Sequence, residues 1–445
     1  MKIIVALDKF KGSLTAPEAC AAVRLGLLAA RPDARVVVAP MADGGEGTAD
    51  ALQAALGGDW ISVSVTGPLP GTTRSARYLW LERDRRAVVE MAQASGMVLL
   101  PVEQRNPLRT TTYGTGELLA DAHRRGTRSI WLAVGGSATV DGGVGAAMAL
   151  GWRFLDAQGQ PIGLGGGELE RIARIVPPTA AEGLPEETAD CRPQTADRGP
   201  KSEDRSPNTE PFDSLVAAPR ASRVPRLNAV TRLPRHVAHS GAQGLRHRTL
   251  NTEHRSPVTM EVLCDVDNPL CGEHGAARVF GPQKGATPAM VKRLDNGLRH
   301  LADLVRAQLG KDIRDLRGAG AAGGLGAGAV AFFDARLVPG IGTVMGASVL
   351  AKELVDADWV ITGEGQLDEQ SLRGKVVDGV AAAARSAGVK VAVLAGRVKL
   401  SEAEWRQWGI EVVSAVTPPE MSTGEGIRRA AELLFERARE LELGD

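Results

Sequence analysis

The sequence predicts an α/β protein of two domains: a doubly wound domain assembled from both chain ends, with a mixed α/β domain inserted between them. Three observations carry this. Strand-like and helix-like segments alternate at both termini. The middle changes to short strands separated by turn residues. The 445 residues also exceed one ordinary domain.

Residues 2–7 read as a buried strand, apolar without a break from Ile3 to Leu7. Pro17 to Ala30 carries Ala, Val and Leu at helical spacing, with a proline in the first turn and Thr15 placed as N-cap. Arg35 to Ala39 reads as a second strand stopped by Pro40, and Gly47 to Leu56 as a helix. Ile61 to Val65 alternates strictly, while Arg77 to Glu82 and Arg86 to Met91 are short runs set off by turn residues at Gly67-Pro68 and Arg83-Asp84. These read as antiparallel hairpins.

Pro288 to Gly310 is a helix expected to lead back towards the first domain. Trp359 to Thr362, Lys390 to Leu394 and Ile410 to Val416 are strands, and Gly374 to Ala387 a helix between the first two. Gly426 to Glu440 reads as an amphipathic helix with Ile427, Ala431, Leu434 and Ala438 on one face. The expected boundaries are 1–60 and 288–445 for the doubly wound domain and 61–287 for the inserted one.

One stretch breaks the pattern. Residues 177–257 are rich in Pro, Arg, Ser, Thr and Asp with almost no periodicity, and are expected to be a disordered insertion. They hold four of the seven histidines and a basic second half, but no aromatic or repeated motif supports a nucleic-acid arm.

Lys+Arg and Asp+Glu are both 53, so no net field draws nucleic acid or an anionic membrane. Four scattered cysteines (Cys20, Cys191, Cys264, Cys271) make neither a disulfide framework nor a zinc pattern. No run approaches the ~18 apolar residues of a membrane span. The N-terminal run ends in a charge, unlike a signal peptide, so a cytoplasmic protein is expected.

Glycines and carboxylates cluster where strands end, which is where open α/β sheets bind ligands. Asp8 to Ser13 offers Lys9 and Lys11 to phosphate and Ser13 to a substrate or a helix cap; two surface lysines before an N-cap would read the same way. Asp43 to Thr48 holds Asp43 and Glu46 among three glycines, a pair that suits Mg²⁺ or a base for a hydroxyl proton. Asn106 to Glu117 brings Arg109, Thr110 and further hydroxyls to a helix start, fit for a carboxylate or phosphate, or for capping alone. Gly135 to Gly143, with Gly136, Ser137 and Asp141, resembles a phosphate-cradling loop but lacks the P-loop lysine. Asp265, Asp267 and Asn268 end another strand, and Lys284 follows within Gly281 to Gly285. Gly363, Glu364, Asp368 and Lys375 complete the set.

Taken in order, DKFKGSL, MADGGEGT, NPLRTTTYGTGEL, VGGSATVDGGVG, CDVDNPL, FGPQKGA and TGEGQLDEQSLRGK resemble the glycerate kinase family of bacterial glycerate and glyoxylate metabolism. The resemblance runs end to end except across 177–257. It implies phosphoryl transfer from ATP to a hydroxyl of D-glycerate with Mg²⁺, and a flavodoxin-like domain carrying an inserted second domain. A homodimer is left open.

Residue roles rest on chemistry, because kinase catalysis needs positioning and charge neutralisation. Lys9, Gly135, Gly136, Ser137, Asp141, Lys284, Gly363 and Glu364 are the nucleotide-site candidates. Asp43, Glu46 and Asp267 are the metal ligands, with Asp265 beside them. Asp43 is the expected proton acceptor, with Lys11 and Asp265 as further catalytic groups. Ser13, Arg109, Thr110 and Asn268 are assigned to the acid, with Arg109 or a lysine on its carboxylate. A non-catalytic anion or nucleotide sensor is the alternative, but it has no use for carboxylates beside lysines at several strand ends. A dinucleotide enzyme is disfavoured because no GxGxxG follows the first strand.

Overall fold

A computed structural model describes residues 1–178, 258–372 and 374–444. Most of the 177–257 stretch, with Cys191 and its four histidines, lies outside the described residues. The strands in chain order are β1 (Lys2–Leu7), β2 (Arg35–Val38), β3 (Asp59–Thr66), β4 (Thr73–Leu81), β5 (Arg86–Glu90), β6 (Ser129–Ala133), β7 (Arg153–Leu155), β8 (Arg174–Val176), β9 (Thr259–Leu263), β10 (Arg336–Val338), β11 (Trp359–Leu367), β12 (Lys390–Val398) and β13 (Val412–Ala415).

The first sheet has the order β13-β12-β11-β1-β2 and is parallel throughout, drawn from both chain ends. Its apolar strands are covered on both faces, as a parallel sheet requires. Ile3, Val5 and Leu7 pack with Val23 and Leu27 of the Ala16–Ala30 helix and with Leu434 near the C-terminus. Ile4 and Val360 face Leu52, Ile341, Val377 and Val380 on the other side. The first helix is opened by a capping box between Thr15 and Glu18. Lys2 is the polar exception in β1, and Glu353 at 3.0 Å and Asp356 pair with it.

The second sheet has the order β10-β9-β6-β5-β4-β3. β3, β4 and β5 are antiparallel, as the alternation and turn residues imply, and the remaining pairs are parallel. Tyr78, Val89, Leu118, Leu132 and Val262 form its core. A further cluster, with Phe154, Leu169, Leu298, Leu301 and Phe332, lies under the Pro288–Leu309 helix.

Two expectations are corrected. The Pro288–Leu309 helix does not lead back to the first sheet: it packs on Leu169, and the chain then adds β10 to β9. Residues 288–338 therefore belong with the second sheet, because helical periodicity marks an apolar face without naming its partner. The C-terminal helix is two, Thr423–Arg428 and Ala430–Glu440. Leu434 and Ala438 of the expected face are buried, with Leu433 beside them, while Ile427, beyond the break at Arg429, and Ala431 are exposed. Cys20 and Cys271 are buried free thiols, and Cys264 is half-buried.

Candidate active site

The first sheet changes winding direction between β1 and β11, the position at which doubly wound sheets bind ligands. A cleft of ≈ 1090 Å³ opens there and is closed opposite by the ends of β6 and β9. Lys9, Lys11, Ser13, Asp43, Glu46, Gly135, Gly136, Ser137, Asp265, Asn268, Lys284 and Glu364 all line it, so segments far apart in sequence converge on one space.

The carboxylate loop after β2 joins the two walls. The Val134 amide donates to the Gly44 carbonyl at 3.0 Å. A Cβ on Gly135 would stand 2.4 Å from the Gly45 Cα, so only glycine permits this approach. Glu46 lies over the same loop: a Cβ on Gly136 would be 3.7 Å from its Oε2. On the other side, Lys9 Nζ sits 3.6 Å from Asp8 and 3.9 Å from Asp43.

Burial sets the charge states. Asp8, at the end of β1, is pushed up to about 6 by burial, against the pull of Lys9. Burial raises Glu364 to about 7, and its Oε1 has no hydrogen-bond partner among the described residues. Asp265 rises to about 6 by burial, although the Gly340 and Ile341 amides donate to it at 2.8 and 3.0 Å. Lys284 is 3 % exposed and donates to Ser137 Oγ at 2.7 Å and the Thr139 carbonyl at 2.8 Å. No carboxylate pairs with it among the described residues, and burial pushes it down to about 7.

Other candidates stay outside the cleft. Asp141 is buried and accepts from Thr112 N at 2.8 Å, Thr112 Oγ1 at 2.9 Å and Gly143 N at 3.2 Å. It braces the glycine loop from behind, and Thr110 does likewise through the Ala138 carbonyl at 2.8 Å. Asp267 faces solvent in a bidentate pair with Arg317 at 2.6 and 2.7 Å. Arg109 is exposed away from the cleft, and Gly363 is packed beneath it, where a Cβ would stand 1.9 Å from the Leu394 carbonyl. The sequence reading gave no role to Asp8, Arg397 or Glu90. Asp8 carried a signal as the first polar residue after a buried strand. Arg397 and Glu90 carried none, since one lies at the end of a strand called too short and the other lies inside an apolar run.

The model of the glycerate kinase family matches residues 3–194 and 236–442. The chain belongs to the glycerate kinase family. The segment outside the match, 195–235, is narrower than the 177–257 stretch that breaks the sequence pattern. A glycerate kinase from Halalkalibacterium halodurans is 40% identical over 440 residues, covering 99% of this chain and 97% of that protein. A glycerate 2-kinase from Escherichia coli is 36% identical, covering 99% and 97%. A crystal structure from Salmonella typhimurium LT2, provisionally described as glycerate kinase 2, is similar at a TM-score of 0.72 and 37% identity, covering 99% of this chain and 96% of that one. The chain is thus an enzyme of the kinase class, with the α/β fold of that structure. Among the described residues no helix is long and apolar enough to cross a membrane.

Proposed function

We propose that this glycerate kinase transfers the γ-phosphoryl group of ATP to a hydroxyl of D-glycerate, in the cytoplasm. The observation that carries this reading is one cleft combining basic side chains, carboxylates and a dry, unpaired lysine from both sheets. Such a cleft can neutralise anions, hold a hydroxyl beside a carboxylate and exclude water, which phosphoryl transfer requires.

Asp43 is the proton acceptor for the attacking hydroxyl, since it lies at the junction of the two walls with Lys9 3.9 Å away. Among the described residues no group of three or more His, Cys, Asp or Glu is arranged to hold a metal by itself. That fits Mg²⁺, which takes one or two carboxylates and fills its shell with phosphate oxygens and water. Asp43 and Glu46 would hold it, and Asp265 is committed to two backbone amides instead. Bound there, Mg²⁺ would neutralise charge on the transferring phosphate.

The printed name of the E. coli relative favours the 2-hydroxyl. Coupled ADP-release assays with a panel of hydroxy acids test the reading, and NMR of the product separates 2- from 3-phosphoglycerate. Release of ADP no faster with glycerate than without it would sink it.

A further inference from the structure

The two walls of the cleft differ in how they carry positive charge. At the first sheet, Lys9, Lys11, Lys375 and Arg397 line the cleft at the ends of β1 and β12 and at the start of the Val376–Ala387 helix, all at least partly open to solvent. At the second sheet, Lys284 is the single basic residue among the described lining residues, and it is 3 % exposed. Two of its three N–H groups are committed, to Ser137 Oγ and the Thr139 carbonyl, and one remains for a ligand. Among the described residues, Asp141 is the charged group that acts on it.

We propose that the walls divide the substrates: the Lys284–Ser137 pair binds the carboxylate of the hydroxy acid, and the open cations of the first sheet bind the nucleotide phosphates. This rests on the kinase reading and reassigns Lys284, Ser137 and the glycine loop from nucleotide to acid. A dry lysine with no carboxylate in contact among the described residues gains most from one compact anion, because the attraction is strong where water is excluded. A polyphosphate carries several charges and needs several cations, which only the first wall supplies. Arg109, the expected partner of the acid, does not reach the cleft, which leaves Lys284 as the cation for it on that wall.

The test is equilibrium binding of D-glycerate and, separately, of AMP-PNP with Mg²⁺, to wild-type protein and to the variants Lys284→Met, Ser137→Ala and Lys375→Met. Loss of a charged hydrogen bond of ~1.5–3 kcal/mol predicts that Lys284→Met weakens glycerate binding by roughly 10- to 100-fold, with AMP-PNP affinity unchanged. Lys375→Met should do the reverse. Ser137→Ala keeps the lysine, should weaken glycerate binding alone, and decides the matter if Lys284→Met does not fold. An equal or larger loss of AMP-PNP affinity in Lys284→Met or Ser137→Ala overturns the division, as does unchanged glycerate binding. If the wild type turns over no glycerate, the kinase reading fails on its own. The Lys284 assignment is then still decided by a panel of small carboxylates: loss of their binding supports it, and retention overturns it.

Discussion

Glu90 Oε1, at the end of β5, accepts a hydrogen bond at 2.8 Å from the Ala49 amide, in the first turn of the Thr48–Leu56 helix. Both residues are buried, and the helix follows directly on the Asp43–Thr48 loop. The carboxylate loop therefore leaves the first sheet at β2 but is held by the second. Glu90, Gly44–Val134 and Gly45–Gly135 all tie it to that sheet's strand ends.

Glu90→Ala should leave the Ala49 amide buried without an acceptor and cost ~1–3 kcal/mol of stability, read as a lower midpoint in urea unfolding. Glu90→Gln keeps an acceptor and should recover most of that loss. If the Ala variant is as stable as wild type, the contact does not hold the loop.

Asp43→Asn should lower kcat by roughly 10²-fold or more, the usual scale for a positioned proton acceptor, with the unfolding midpoint close to wild type. Near-normal kcat would move the role to Glu364, whose buried oxygen is unpartnered among the described residues.

Burial raises Glu90 and Glu364 to about 7, and Asp8 and Asp265 to about 6. The unfolded chain releases these protons at a pH of about 4. Between that pH and 7 the folded state holds more protons, so this group of residues makes stability fall as pH rises. Glu364→Gln should flatten the fall in urea midpoints measured from pH 5 to 8. An unchanged slope would show that Glu364 is ionised throughout.

Lys284 has the opposite sign. Its folded pKa is pushed down to about 7, below the ordinary lysine value, so the unfolded chain holds the extra proton above pH 7 and stability rises from there towards about 10.4. Lys284→Met should thus stabilise the protein most below pH 7, and its advantage should shrink at pH 9. A constant advantage across that range would mean that the buried lysine is charged throughout.

Deleting residues 195–235, which lie outside the family match, should leave glycerate-dependent turnover within a few-fold of wild type. The entropy of closing a loop changes only slowly with its length, and every quoted motif remains. A deletion that abolishes turnover would make this segment functional.

Residues next to one another in the chain made much of this protein legible. The apolar run of β1, the Thr15 N-cap and the alternation of β3 depend on spacing alone, and all three stand in the structure. So does the position of glycine and carboxylate at strand ends, since a strand delivers its next residues to the sheet edge whatever surrounds it.

Tertiary structure decided what faces what. Asp43 and Asp267 have the same chemistry and both follow strands, yet one lines the cleft and the other is turned to solvent by Arg317, fifty positions away. Lys284 reads in the sequence as a loop lysine able to reach a phosphate, and only the structure shows it enclosed by Ser137 and Thr139. Burial and partnership are properties of distant segments brought together, so no local pattern encodes them. The charge state of a group follows from that enclosure, and with it the chemistry the group can perform.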